Sequence, residues 1–299
     1  MRPLREYRLA DWRRLRPLTH FLKTRRYRRI TEEHLRRPAR AGDLDVIRAS
    51  MRDRQALVAI AFNDPEVIGW QVRLLRRHLP GVLYLVADNS THDVAAGEIR
   101  SVCERHGAGW LRLPRVAWER GVTSRSHGLA LNWVWRNLIR PAGPASFGFI
   151  DHDLFPIAPD DPFRWLDRQD FYGHVRSAGT RWFLWAGFCF FRFDHVRGLP
   201  LDFGQDWFNG LDTGGANWNV LYSAARRAGL CEEPLRELAL DVAGKTEHIQ
   251  QFGQWLHLGD MSGGDRPGAA GIRARKRAAV ARLIAPCLAG AEEDSGSPQ

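Results

Sequence analysis

From residue 56 onward the chain repeats one pattern: a short apolar run, a turn carrying a capping side chain, then an amphipathic stretch. Ala56 to Phe62 is an apolar run of strand length, and such a run between turn signals reads as a buried strand. Asn63-Asp64-Pro65-Glu66 supplies a capping side chain and a first-turn proline. Ile68, Val72, Leu75 and Leu79 then share one helical face, which Pro80-Gly81 ends. Val82 to Val86 is a second strand, closed by Ala87-Asp88-Asn89-Ser90. A helix through residue 106, the breaker Gly107-Ala108-Gly109, a strand at Trp110 to Leu113, a helix at Ser126 to Ile139 and a strand at Phe147 to Ile150 follow. Strands alternating with helices form a mostly parallel sheet flanked by helices, so the expected class is α/β. Ligands of such sheets bind beyond the carboxyl ends of the strands. Asn63, Asp88-Asn89 and Asp151-His152-Asp153 all fall at such ends.

The second half has a different texture. Phe163 to Phe193 is rich in Trp and Phe, with a strand predicted at Trp182 to Phe193. Residues 202–219 are dense in Gly, Asp, Asn and Trp and predict a functional loop leading into a helix near 218–229. Residues 248–265 are polar and glycine-rich, residues 266–290 predict a terminal helix, and residues 292–299 a frayed tail. The expected organisation is a basic arm over 1–45, a domain over 46–265 with halves 46–155 and 156–265, and a C-terminal helix and tail over 266–299.

Charge is uneven along the chain. Residues 1–40 hold 14 Lys or Arg against 4 acids, which equals the whole net charge of +10; residues 41–299 hold 30 of each. The basic character belongs to the arm, so the body gives no reason to expect nucleic acid. Within residues 1–42, Trp12, Leu15, Leu18, Phe21 and Leu22 lie among arginines, with Pro17 interrupting the stripe. Two readings stay open: a basic amphipathic helix on an anionic membrane surface, or a solvated helix packing its stripe on the body. Cys103, Cys189, Cys231 and Cys287 are scattered without a C-x-x-C pair, which speaks against a zinc site or disulfide framework. There is no apolar run of spanning length and no apolar leader. The expected location is cytoplasmic, peripheral at the inner membrane face if the arm binds lipid.

The chemistry concentrates in Phe147-Gly-Phe-Ile-Asp-His-Asp-Leu-Phe-Pro156. Carboxylates at i and i+2 leave a strand end on the same side. Mg²⁺ and Mn²⁺ prefer oxygen ligands and keep phosphate oxygens as partners. Asp151 and Asp153 are therefore the expected metal ligands, carrying a diphosphate. His257, in Trp255-Leu-His-Leu-Gly259, is the candidate third ligand, with His248 as competitor; an imidazole ligand favours Mn²⁺ over Mg²⁺. No glycine-rich, Lys-containing phosphate loop is present, which counts against the usual nucleotidyltransferases and phosphohydrolases.

Val58-Ala-Ile-Ala-Phe-Asn63, Leu85-Val-Ala-Asp-Asn-Ser90, Ser126-His-Gly-Leu-Ala-Leu-Asn132 and Phe149-Ile-Asp-His-Asp153 together resemble, in order and spacing, nucleotide-sugar transferases of the GT-A fold, especially bacterial family-2-like glycosyltransferases. The resemblance implies a Rossmann-like fold and a donor site in which Phe62, Asn63, Asp88 and Asn89 approach the nucleoside. It also implies that Gly128 and Asn132 lie beside the diphosphate, with Asp151, His152 and Asp153 at the metal. Trp185-Ala-Gly-Phe-Cys-Phe-Phe191 looks like the strand walling the sugar pocket; there Gly187 either lets a ligand approach or marks a bulge. Transfer with inversion needs a carboxylate base, for which Asp212 is the first candidate and Asp206 the second; either can equally be a turn residue. The family's usual Glu-Asp and Arg-Trp motifs are absent. Trp207 and Trp218 are the candidate sugar contacts. A UDP-sugar is the favoured donor, and the acceptor is a hydroxyl, with surface polysaccharide or glycolipid synthesis as the setting. The alternative is a non-catalytic binding protein on this fold, docked through its arm to anionic lipid or nucleic acid.

Overall fold

The computed structural model describes residues 4–116, 123–259 and 269–293. Helices α1 (Leu9–Arg13), α2 (Arg16–Leu35) and α3 (Leu44–Met51) precede β1 (Gln55–Ala61). Then come α4 (Pro65–His78), β2 (Leu83–Asp88), α5 (Asp93–Arg105), β3 (Gly109–Arg112), α6 (Thr123–Val134, continued by a π turn at Trp135–Ile139), α7 (Arg140–Ala142) and β4 (Ser146–Asp151). The second half holds β5 (Leu154–Pro156), β6 (Phe171–Ala178), β7 (Arg181–Arg192), α8 (Phe193–Val196), β8 (Leu235–Val242), β9 (Lys245–Phe252), β10 (Trp255–His257) and α9 (Ala269–Glu293).

The main sheet has the order β3-β2-β1-β4-β7-β6. Strands β1 to β4 pair in parallel, and β7 pairs antiparallel with both β4 and β6. This is the α/β, mostly parallel sheet that the strand–helix rhythm predicts. Successive side chains on β1 enter opposite layers, as strand geometry requires. Val58 and Ile60 pack with Leu131 and Val134 of α6, while Leu57 and Ala59 pack with Leu75 of α4 and with Phe252 and Trp255 of a smaller antiparallel sheet, β5-β10-β9-β8. Helix α4 begins as the sequence predicts: the Asp64 carboxylate accepts a hydrogen bond from the Val67 N–H at 3.2 Å, and Pro65 stands in the first turn.

One expectation is corrected. Residues 218–229 form no helix. Short 3-10 turns at Gly215–Asn217 and Tyr222–Ala224 seat Leu221 and Tyr222 in the core, and Asn217 Oδ1 accepts from the Asp202 N–H at 2.8 Å. Residues 248–259, polar and glycine-rich in sequence, supply most of β9 and all of β10; Glu247 and Ile249 turn inward while Thr246 and His248 face out, so a strand with one solvated side reads as polar. Pro17 marks the interruption the sequence predicts: α1 ends at Arg13, Leu15 takes a left-handed φ of +51°, and Pro17 stands in the first turn of α2, where proline costs no hydrogen bond. Residues 260–268, in the polar, glycine-rich stretch after His257, and the tail 294–299 lie outside the described residues.

The arm is a packed element. On α2 the buried or half-buried residues are Pro17, His20, Thr24, Tyr27, Ile30, Thr31, His34 and Leu35. His34 is buried with neither ring nitrogen hydrogen-bonded, and burial, with the Arg37 cation adding, lowers its pKa from 6.5 to about 4. The folded state keeps this imidazole neutral while the unfolded chain protonates it, so its contribution is intact above pH 6.5 and fades as pH falls toward 4. Up to about 3 kcal/mol is at stake. Urea midpoints measured at several pH values across that window are expected to fall more steeply for the wild type than for His34→Leu.

Candidate metal and donor site

β4 runs buried between β1 and β7 and delivers Asp151 at its carboxyl end, with Asp153 in the turn that follows. β10 pairs antiparallel with β5 and sets His257 opposite Leu154. Sequence positions far apart therefore meet: His257 Nε2 lies 3.2 Å from Asp153 Oδ1 and 3.7 Å from Asp151 Oδ2. One ligand atom from each of Asp151, Asp153 and His257 lies within 4.8 Å of the others. The competitor His248 is exposed on β9, near Glu237.

Each of the three is oriented by a neighbour. His257 Nδ1 shares a 2.8 Å hydrogen bond with Gln250 Oε1, which leaves Nε2 toward the carboxylates. The Gly259 N–H donates to Asp153 Oδ2 at 3.0 Å. Buried Gln71 donates to the carbonyls of Asp151 and Leu154, and Tyr84 in turn donates to Gln71. His127 Nε2 stands 3.7 Å from Asp151 Oδ1. His257 also packs on Trp185, ring centroids 5.0 Å apart, and the Arg176 guanidinium lies 4.5 Å over the same indole.

The electrostatics are those of a cation site. Burial raises the pKa of Asp153, but the charge and hydrogen bond of His257 overcome this and hold it well below the ordinary carboxylate range. Burial likewise opposes the Asp151 charge, and His257 and His127 still pull its pKa down. Burial disfavours the His257 cation, yet Asp153 and Asp151 lift its pKa to about 9. A proton on His257 thus offsets one of the two carboxylate charges; a divalent ion in its place would offset both, held by two oxygens and one nitrogen, a donor set that suits Mn²⁺.

The other sequence-predicted residues take up more varied places. Asn63 has φ of +51°, a conformation asparagine tolerates. Its side chain clamps the turn after β2, donating to Thr91 and accepting from the N–H groups of Thr91 and His92. Phe62 is partly exposed beside it. Asp88 is fully buried and accepts from the Ser90 N–H, its second oxygen 3.9 Å from Arg112 Nε. Asn89 donates to Ser126 at the start of α6. Asn132 spends its amide on the loop after α8, donating to Asp202 and accepting from the Phe203 N–H, both at 2.7 Å. A Cβ on Gly128 would come 3.0 Å from Gly204 Cα, so this glycine lets α6 approach that loop. A Cβ on Gly187 would come 2.2 Å from the Trp185 ring: the small residue makes room for an indole. His152 is half-buried between the two metal-site carboxylates in sequence.

Asp212 is ion-paired with Arg176 at 3.0 Å and accepts from Gln205 at 3.0 Å. Asp206 closes a turn with Leu211, accepts from Asn209 at 2.6 Å and lies 3.6 Å from Arg181. Trp207 is exposed, whereas Trp218 packs against Trp182 in the core. Arg176, His127, Gln71 and Gln250 escape sequence reading. A lone Arg or Gln in a strand, or a lone Gln in a helix, carries no signal, and His127 was visible only as a member of the Ser126-to-Asn132 motif.

No protein-family model matches the chain, and no curated protein does. Among solved structures it is similar to a mannosyltransferase from Pyrobaculum calidifontis in complex with GDP-Man and Mn²⁺ (16% identity over 61% of this chain and 56% of that one, TM-score 0.37). It is also similar to TarS from S. aureus (14%, 43% and 22%, TM-score 0.28) and to core-mannan synthase A from Aspergillus fumigatus in a Mn/GDP form (8%, 49% and 61%, TM-score 0.30). The chain thus spans little more than half the length of the first of these. Likeness at this level is partial, and the function rests on the site itself.

Proposed function

We propose that this protein is a metal-dependent glycosyltransferase that moves a sugar from a nucleotide-diphosphate donor to a hydroxyl. The observation that carries the reading is the Asp151–Asp153–His257 cluster at the carboxyl end of β4, a central strand of a mostly parallel sheet. Asp151, Asp153 and His257 would hold the ion, with Mn²⁺ favoured over Mg²⁺. When bound, the metal supplies positive charge against the leaving diphosphate. Gln250 and the Gly259 N–H fix the ligands, and Arg176 places a second positive charge facing Asp151 and Asp212. Phe62, Asn63, Asp88, Asn89, Gly128, Asn132, His152 and Gly187 frame the donor side. Asp212 is the base: its carboxylate is more open than that of Asp206, which is held inside its turn. To accept a proton it must loosen from Arg176. The acceptor belongs to a surface polysaccharide or glycolipid, and residues 1–42 meet an anionic membrane surface at the inner face.

The test is calorimetric titration of UDP and GDP with and without Mn²⁺. Binding of one nucleotide, UDP by expectation, only with the metal supports the reading. Absence of binding under any metal removes it and leaves the non-catalytic binding protein.

A further inference from the structure

The arm is built inside out. Toward the body, α2 presents His20, Thr24, Tyr27, Thr31 and His34, polar side chains that outnumber Pro17, Ile30 and Leu35 there. Its solvent face carries Leu15, Leu18 and Leu22 in line, flanked by Phe21 and preceded by Leu9 and Trp12 of α1, each between 46% and 69% exposed. Arg25, Arg26 and Arg29 continue the same face one turn on, all exposed. Of these only Arg29 has an acidic partner among the described residues, Glu33 at 3.0 Å. A helix stabilised by water on this face would carry the reverse distribution. Apolar side chains bordered by arginines match an interface of acyl chains and anionic headgroups.

The inward side of the same helix holds the loop of the candidate base. His20 stacks on Phe208 with centroids 4.1 Å apart, Lys23 Nζ lies 5.5 Å over Trp207, and a Cβ on Gly204 would come 2.8 Å from the Tyr27 hydroxyl. Arg125 covers Trp207 as well, two residues before His127 at the metal cluster. The helix with the exposed apolar face and the loop bearing Asp212 are one structural unit.

We infer that the outer face of α1 and α2 docks on an anionic phospholipid bilayer and thereby holds the Trp207 loop one helix diameter, about 10 Å, from the lipid surface, so that the acceptor is a lipid-borne hydroxyl. The inference rests on the transferase reading for the word acceptor, and the docking itself is tested separately. Full-length protein is sedimented with phosphatidylcholine vesicles and with equal-part phosphatidylcholine–phosphatidylglycerol vesicles, over a salt series. Binding to the anionic vesicles that weakens with salt is expected. It should fall at least about tenfold in Leu18→Glu/Leu22→Glu, whose side chains are exposed, and in Arg25→Glu/Arg26→Glu. Both variants should keep the wild-type melting temperature and Mn²⁺-dependent nucleotide titration. Brominated phosphatidylcholine in the anionic vesicles should quench wild-type fluorescence more than that of Trp12→Phe, because Trp12 is exposed on the outer face. Equal or absent sedimentation with both vesicle types, or full binding by the Leu18/Leu22 variant, overturns the docking; quenching unchanged in Trp12→Phe overturns the assignment of this face to the lipid. Vesicle binding without nucleotide binding removes the transferase reading and leaves the docking standing.

Discussion

Asp153→Asn is expected to abolish Mn²⁺-dependent nucleotide binding and to lower sugar transfer by roughly a thousandfold or more, about 4 kcal/mol of transition-state stabilisation. The carboxylate is buried, faces His257 at 3.2 Å and is fixed by the Gly259 N–H, so no neighbouring group can take its place. Asparagine keeps the shape and one acceptor oxygen but removes the charge that both the imidazolium and a metal require. Alanine is the poorer choice, because it also leaves the Gly259 N–H without its acceptor, a further cost of about 1–3 kcal/mol of stability. Calorimetry with Mn²⁺ and nucleotide, beside a thermal melt, separates the two effects. Retained metal-dependent binding in a folded Asp153→Asn protein would move the metal away from this cluster.

Gly187→Ala is expected to destabilise the protein by about 1–3 kcal/mol through overpacking and to cut transfer at least about tenfold. Its methyl would overlap the Trp185 indole, and that indole supports His257 on one side and Arg176 on the other. Displacing the ring therefore reaches a metal ligand and the partner of the candidate base together. The double variant Gly187→Ala/Trp185→Leu discriminates between two roles for the glycine. If Gly187 exists to make room for the indole, removing the ring relieves the clash and the urea midpoint recovers relative to Gly187→Ala. The two changes would then be strongly non-additive. If it exists to let a ligand approach, the second substitution restores neither stability nor transfer.

The first half of the chain was legible because each element carries its own signal. Asp64 and Pro65 start α4 by local chemistry, and the apolar runs of β1, β2 and β4 are long enough to announce strands buried on both faces. The D-x-D pair belonged to the same local class, since one strand end sets both carboxylates. The second sheet was not legible. β8 and β9 expose one face to water, so their sequence, Lys245-Thr-Glu-His-Ile-Gln-Gln-Phe252 in β9, reads as polar chain until its pairing is known. The 3-10 turns at 215–224 are equally contextual, fixed by Asn217 reaching Asp202 and by Tyr222 entering the core.

The sequence by itself determined the alternation of strands and helices, the strand ends where polar residues gather, the D-x-D carboxylates and the concentration of charge in the arm. These follow from periodicity, capping and composition, which act over one or two turns of chain. Only the tertiary structure decided that His257, rather than His248, completes the cluster, because β10 pairs with β5 directly after Asp153. It alone decided that Asn63 and Asn132 spend their amides on neighbouring loops, that the Trp185 indole lies against Gly187, and that α2 turns its polar face inward. Each of these depends on partners tens of residues away, where register and packing choose among contacts that local sequence leaves equal.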